Sequence, residues 1–192
     1  MTPEDVKLRP CQPGDLSSVV EIYHEAFQPE LSFFFKRFPR RFFEAVFCLL
    51  VKDTIVAESQ YDVVGFVTVT SGLGPMTGTR MIRLVLKLPK LLASTRSSLF
   101  MYLLQKLRNS DWSEPLLGIA CIAVRTRWRS KGIGRTLMRQ ALARYPDMNA
   151  ILDVRPWNRS AIRLYTSVGF RRTAVWGDPF GGWVVMRRAK GL

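Results

Sequence analysis

The chain has 192 residues, 47% of them hydrophobic and 23% charged, which suits one globular domain, residues 1–192, with a substantial core. No apolar stretch reaches the roughly 18 residues needed to cross a bilayer, and the start Met-Thr-Pro-Glu-Asp lacks the basic and apolar regions of a secretory signal. Cys11, Cys48 and Cys121 are odd in number and widely spaced, so neither a disulfide framework nor a zinc site is indicated; a soluble cytoplasmic protein without a metal is the expectation, with a net charge of +14.

In chain order, Val6–Pro10 reads as a strand, and Pro13-Gly14 introduces a helix near Asp15–Phe27. Its His24 is expected to be a surface or helix-packing residue rather than a catalyst. The aromatic-rich Leu31–Phe38 is read as a connection to a second helix over Phe38–Lys52. Thr54–Glu58 and Val63–Thr70 are short β-branched runs flanking Gln60-Tyr-Asp62, the pattern of a hairpin. An insertion is expected over about 71–113, opened by a glycine-rich stretch. Between Val63 and Ser110 the chain carries seven Lys or Arg and no Asp or Glu. Within it Arg80, Arg83, Lys87 and Lys90 recur at helical steps opposite apolar residues, which makes a basic amphipathic helix. Such a helix can lie on an anionic membrane surface or cover an anionic substrate, or it can be a solvated face. Strand Leu117–Val124, helix Arg135–Tyr145, strand Ala150–Val154, helix Ser160–Val168 and strands Arg171–Val175 and Gly182–Arg187 complete an α/β (α+β) plan.

The most informative stretch is Arg129-Ser-Lys-Gly-Ile-Gly134, which lies between an apolar strand and a helix. Gly132 and Gly134 permit close backbone approach and positive φ. Successive N–H groups can therefore converge on phosphate oxygens at the positive end of a helix, a site for a diphosphate-bearing ligand. A Walker loop requires Gly-Lys-Ser/Thr after four intervening residues, and a dinucleotide fingerprint requires a small residue where Leu137 stands; neither fits.

The remaining pattern, Arg-x-x-Gly-x-Gly after a buried strand, resembles the acetyl-CoA-binding motif of the GNAT acyltransferase superfamily. The run Leu152-Asp-Val-Arg-Pro-Trp-Asn158, through Ala161 and Leu164-Tyr165 to Gly169-Phe170, resembles that superfamily's next strand and helix, and within it ribosomal-protein alanine N-acetyltransferases. The resemblance implies a mixed central sheet of about six to seven strands flanked by helices, with the strand before the glycine loop splayed from its neighbour. It implies acetyl-CoA as co-substrate. Backbone of Ile122, Ala123 and Val124 would follow the acyl arm, while Ser130, Lys131, Gly132, Ile133, Gly134 and Arg135 would present amides to the diphosphate. Arg129, Lys131 and Arg135 would add charge. Arg125 and Arg127 are left unassigned.

Tyr165 lies on a buried stripe with Ala161, Leu164 and Val168. It is either a core tyrosine or, as the resemblance implies, the acid that donates to the departing thiolate. With reference pKa values of about 10 for Tyr and about 8.5 for a thiol, full proton transfer is uphill by roughly 2 kcal/mol, so hydrogen-bond stabilisation suffices. Asn158 is a natural N-cap, to which the resemblance adds a contact with the cofactor arm. Asp153 interrupts an apolar strand where the resembled enzymes carry a Glu base; the shorter side chain points to a water relay, and pairing with Arg155 or Arg163 is its structural alternative. Cys121 is expected to pack. The implied activity is acetyl transfer to a primary amine (a small molecule, an amino sugar or a protein N-terminus) by direct attack in a ternary complex. The acceptor site would be shaped by Phe33, Phe34, Phe35 and the insertion. The competing class is an acyl-CoA-binding module held to anionic lipid or, less readily, nucleic acid. A homodimer is left open.

Overall fold

The computed structural model describes residues 6–37, 39–71, 116–177 and 182–191, with backbone alone for 29–37, 71 and 176. The insertion expected at 71–113, and the basic helix expected within it, therefore lie outside the described residues beyond Ser71, and so do the side chains of Phe33, Phe34 and Phe35. The elements are β1 (Lys7–Pro10), α1 (Leu16–Arg37), α2 (Arg40–Leu49), β2 (Thr54–Ser59), β3 (Asp62–Ser71), β4 (Leu116–Val124), α3 (Ile133–Ala143), β5 (Asn149–Val154), α4 (Arg159–Ser167), β6 (Arg171–Trp176) and β7 (Trp183–Arg188).

The boundaries of three helices differ most from the sequence expectation, and α2 spans Arg40–Leu49 rather than Phe38–Lys52. The helix predicted to end near Phe27 continues to Arg37 and passes through Pro29, so 31–37 is helical rather than a connection. The missing N–H of one proline removes a single rung, and the surrounding Leu, Glu and Lys favour continuation. Helix α3 begins at Ile133 rather than Arg135, which places Gly134 inside the helix.

The strands form one sheet in the order β1-β2-β3-β4-β5-β7-β6. β2 and β3 form the expected hairpin, closed by Gln60 (φ 50°) and Tyr61 (φ 70°) between the paired Ser59 and Asp62; two positive φ angles match the twist that a two-residue hairpin turn requires. Each face of the sheet has its own core. Under α3 and α4 lie Val67, Leu117, Leu137, Met138, Leu152, Val154, Ile162, Tyr165 and Phe170. Under α1 and α2 lie Val19, Val20, Ile22, Phe43, Phe47, Phe66 and Ala123. His24 rests edge-on against Phe43 at 4.9 Å between ring centroids, the helix-packing one of the two roles expected for it. Burial of each large side chain stabilises the fold by about 1.5–3 kcal/mol.

At the β1 end, Arg9 Nη1 donates to Asp15 Oδ2 at 2.6 Å and Nε to Glu58 Oε2 at 2.7 Å, tying the first strand to its neighbour and to the entrance of α1. The Arg9 hydrogen bond outweighs burial and holds the Asp15 carboxyl below the usual carboxylate range. A depressed native pKa stabilises the fold above the unfolded value, about 3.9, and that contribution disappears as pH falls through the lower native value. Arg9→Ala is thus expected to lose about 1–3 kcal/mol at pH 7. Urea unfolding repeated at decreasing pH should show the gap between wild type and variant closing below about pH 4; a pH-independent gap would mean that Arg9 acts through packing alone.

Candidate active site

β4 is a central strand that keeps only part of its partner. On one edge it pairs with β3 from Ser71↔Leu117 to Gly65↔Val124. On the other, its parallel ladder with β5 consists of Leu116↔Asn149, Leu117↔Ala150 and Gly118↔Ile151, and then stops. The cause lies in the sequence of β4: its register with β3 runs Val69↔Ile119 and then Thr68↔Cys121, so Ala120 is an extra residue, a bulge. Bulges bend the strand that carries them. Ala120 is exposed although its strand is central. From Ile119 to Val124, then, one edge of β4 faces an opening rather than another strand, as the expected splay requires.

The opening leads to the glycine loop. After Val124 a short 3-10 turn, Thr126–Trp128, delivers Arg129 in extended conformation, followed by Ser130 at φ 61° and Gly132 at φ 83°. Gly132 caps α3 without a side chain, so the first amides of that helix, which have no intrahelical acceptors, point outward along its positive end. A Cβ added at Gly132 would meet nothing within 4 Å; glycine is needed here for its left-handed backbone, and the space before it is open. Gly134 is different: a Cβ there would lie 3.3 Å from Leu164 Cδ2, so this glycine serves the packing of α3 against α4 and not a positive φ. Ser130, the loop's non-glycine residue in the left-handed region, was not visible as such in the sequence.

Charge at the loop is divided. Arg125 Nε donates to the Val63 carbonyl at 3.0 Å and its Nη2 to Glu21 Oε2 at 2.8 Å, so Arg125 is a brace. The bond from Arg125 in turn lowers the pKa of Glu21. Glu25 accepts from the Thr126 amide. Burial pushes the Glu25 carboxyl up, but the Thr126 hydrogen bonds and the nearby Arg129 and Arg125 charges hold it low. Glu21 and Glu25 lie four residues apart on one face of α1, a spacing that could have marked this clamp. Arg127 is exposed beside Asp62 at 3.7 Å. Arg129 Nε donates to the Val124 carbonyl at 3.0 Å, which keeps its other nitrogens beside the loop, and Lys131 Nζ sits 4.8 Å above the Trp128 ring. Arg135 is exposed in the first turn of α3.

The two sides of β5 carry different chemistry. Ala150, Leu152 and Val154 belong to the core under α3 and α4, so strand alternation puts Ile151 and Asp153 on the face that carries α1 and α2. Tyr165, buried, joins Leu152 and Val154 on the first side. Asp153 and Tyr165 thus flank the strand from opposite faces. Asn158 caps α4, its Oδ1 accepting from the Ala161 amide at 3.1 Å. Ile122 and Val124 turn their side chains to the α3 and α4 core, while Ala123 and Cys121 face the other; Cys121 packs there, as expected. Arg155 is held by the Gly182 carbonyl at 2.9 Å and lies 3.8 Å from the Trp183 ring centroid and 5.3 Å from that of Trp157. That stack was not read from the sequence, although the Trp residues two positions after Arg155 and at the start of β7 were its only trace. Among the described residues no helix is long and apolar enough to cross a membrane.

The model of the acetyltransferase (GNAT) family matches residues 16–170. Solved structures share the fold over nearly the whole length. A histone acetyltransferase HPA2 and related acetyltransferase from Corynebacterium glutamicum aligns at TM-score 0.68 with 18% identity, covering 98% of each chain. Ard1 from Thermoplasma volcanium aligns at 0.61 with 20% identity, covering 97% of this chain and 98% of that one. The ribosomal-protein-S18-alanine N-acetyltransferase from Escherichia coli aligns at 0.60 with 15% identity, covering 97% and 95%. No curated protein sequence matches. A bulge-opened central strand leading into a left-handed glycine cap, with the family match spanning both, makes this chain a member of the GNAT acetyltransferase family.

Proposed function

We propose that the protein transfers the acetyl group of acetyl-CoA to a primary amine by direct attack within a ternary complex. The observation that carries this reading is the β4–β5 ladder ending at Gly118↔Ile151 beside a loop with left-handed Ser130 and Gly132. The open edge offers backbone groups of Ile122 to Val124 to an extended amide-containing arm, and the outward amides from Ser130 to Arg135 suit a diphosphate, with Arg129, Lys131 and Arg135 adding charge. Acetyl-CoA supplies the activated thioester. Amides on the open edge of β4 stabilise the carbonyl oxygen as it gains charge. Tyr165 donates a hydrogen bond to the leaving sulfur from the α4 side. Asp153, on the opposite face, draws the proton from the amine through water. Asn158 holds the start of α4 and so the position of Tyr165.

The test is release of free CoA, followed chromatographically because exposed Cys48 would react with a thiol reagent, from acetyl-CoA and a panel of amines. Binding of acetyl-CoA without turnover on any amine would overturn the reading. Within the panel an α-amine is expected to be preferred. At pH 7 an amine of pKa about 7.8 is roughly 15% neutral, whereas a lysine side chain near 10.4 is below about 0.1% neutral, and an aspartate acting through water is a weak base for the latter. Higher kcat/KM for lysine ε-amines than for α-amines would contradict the role given to Asp153.

A further inference from the structure

On the face of the sheet that carries Asp153, the paired residues form rows. Asp153 pairs with Val185, which pairs with Ala174; Ile151 pairs with Arg187, which pairs with Arg171. Val184 and Met186 belong to the opposite core, so Val185 and Arg187 share the face of Asp153, and directly opposed residues on antiparallel strands share a face. Arg187 and Arg171 are therefore two cations placed side by side, an arrangement that repels.

Among the described residues, the other arginines withdrawn from full exposure each have an acceptor. Arg9 donates to Asp15 and Glu58, Arg125 to Glu21, Arg155 to the Gly182 carbonyl and Arg188 to the Val168 carbonyl. Arg187 is half-buried, and among the described residues neither it nor Arg171 has an ion-pair or hydrogen-bond partner. A pair of like charges, one of them partly desolvated, is relieved by an anion lying between them.

The position identifies the anion. Arg187 is one strand over and two residues along from Asp153, which by ordinary strand spacing separates their backbones by about 8 Å. That is the span between the amine of a peptide and the side chain of its second residue, given about 3.8 Å between consecutive Cα atoms. We propose that Arg187 and Arg171 form a carboxylate subsite within the acceptor site, selecting a polypeptide N terminus whose second residue is acidic. The inference rests on the acetyl-transfer reading, and fixes which amine that chemistry meets.

The experiment compares kcat/KM for short peptides that are identical except for Glu, Gln or Lys at the second position. The expected order is Glu above Gln above Lys, with Glu favoured over Gln by about 10-fold or more, mainly through KM, and the advantage shrinking as salt is raised. Arg187→Gln should bring the Glu-to-Gln ratio close to one, and Arg187→Lys should restore part of it. Arg172→Gln, on the opposite face beside Met186, should leave the ratio as in the wild type, and thermal melts would show that all variants fold. Equal use of the Glu and Gln peptides by the wild type, or an unchanged ratio in Arg187→Gln, would overturn the subsite while leaving acetyl transfer intact. Binding of acetyl-CoA with no turnover on any peptide or other amine would instead remove the acetyl-transfer reading itself, and the subsite with it.

Discussion

Tyr165→Phe should reduce kcat for acetyl transfer by about 100-fold or more while leaving the affinity for acetyl-CoA near the wild-type value. The substitution removes one oxygen from a side chain that is 7% exposed and whose ring lies 6.1 Å from that of Phe170, so the body of the residue and its packing persist. A hydrogen bond to a leaving thiolate strengthens only as the sulfur gains charge, and loss of a general acid typically costs about 10²–10⁴-fold. The expected signature is therefore a fall in kcat and kcat/KM together, with binding measured by calorimetry unchanged. A variant within twofold of the wild type would return Tyr165 to the role of a core residue.

Gly132→Val is expected to act on the other half of the reaction by weakening acetyl-CoA binding about 10- to 100-fold. At φ 83° a side chain costs about 1–2 kcal/mol relative to glycine, and more for a β-branched one. The backbone can escape that strain by rotating, which turns the outward amides of the loop away from a common point. Because a Cβ at this position meets nothing within 4 Å, the cost to the fold is this backbone strain without a clash at Cβ, so the loss of stability should stay at about 1–2 kcal/mol while the loop no longer holds its amides for binding. Gly134→Val reverses the balance, since Leu164 stands in the way. Equal loss of stability and of binding in Gly132→Val would mean that the loop is a structural turn and nothing more.

The residues that announced themselves in the sequence were those whose chemistry is local. Gly132 declares a backbone conformation, Asn158 a helix cap, and the apolar run of β5 a buried strand interrupted by Asp153; each follows from a few neighbouring positions. The mixed sheet of about six to seven strands and the splay followed from the resemblance carried by the loop and by Leu152–Phe170, whereas the order of the strands did not. Features that depend on pairing between distant segments were silent. Ala120 is a bulge only in relation to β3, Arg187 opposes Arg171 only once β6 and β7 are in register, and the brace from Glu21 to Arg125 joins residues 104 positions apart. The extension of α1 beyond Phe27 was hidden for another reason: its aromatic run has helical and non-helical readings of similar energy, and the fold decides between them.

The extra residue in β4 has a mechanical consequence. It divides the sheet into two plates, β1 to β4 and β5 to β6, sewn together by three residue pairs near one end, with α3 resting on α4 across the join. Such a molecule is weakest along its own midline, and anything that lies in the seam and touches both plates acts as a clasp. On the proposed reading, binding acetyl-CoA in that seam should also raise the melting temperature.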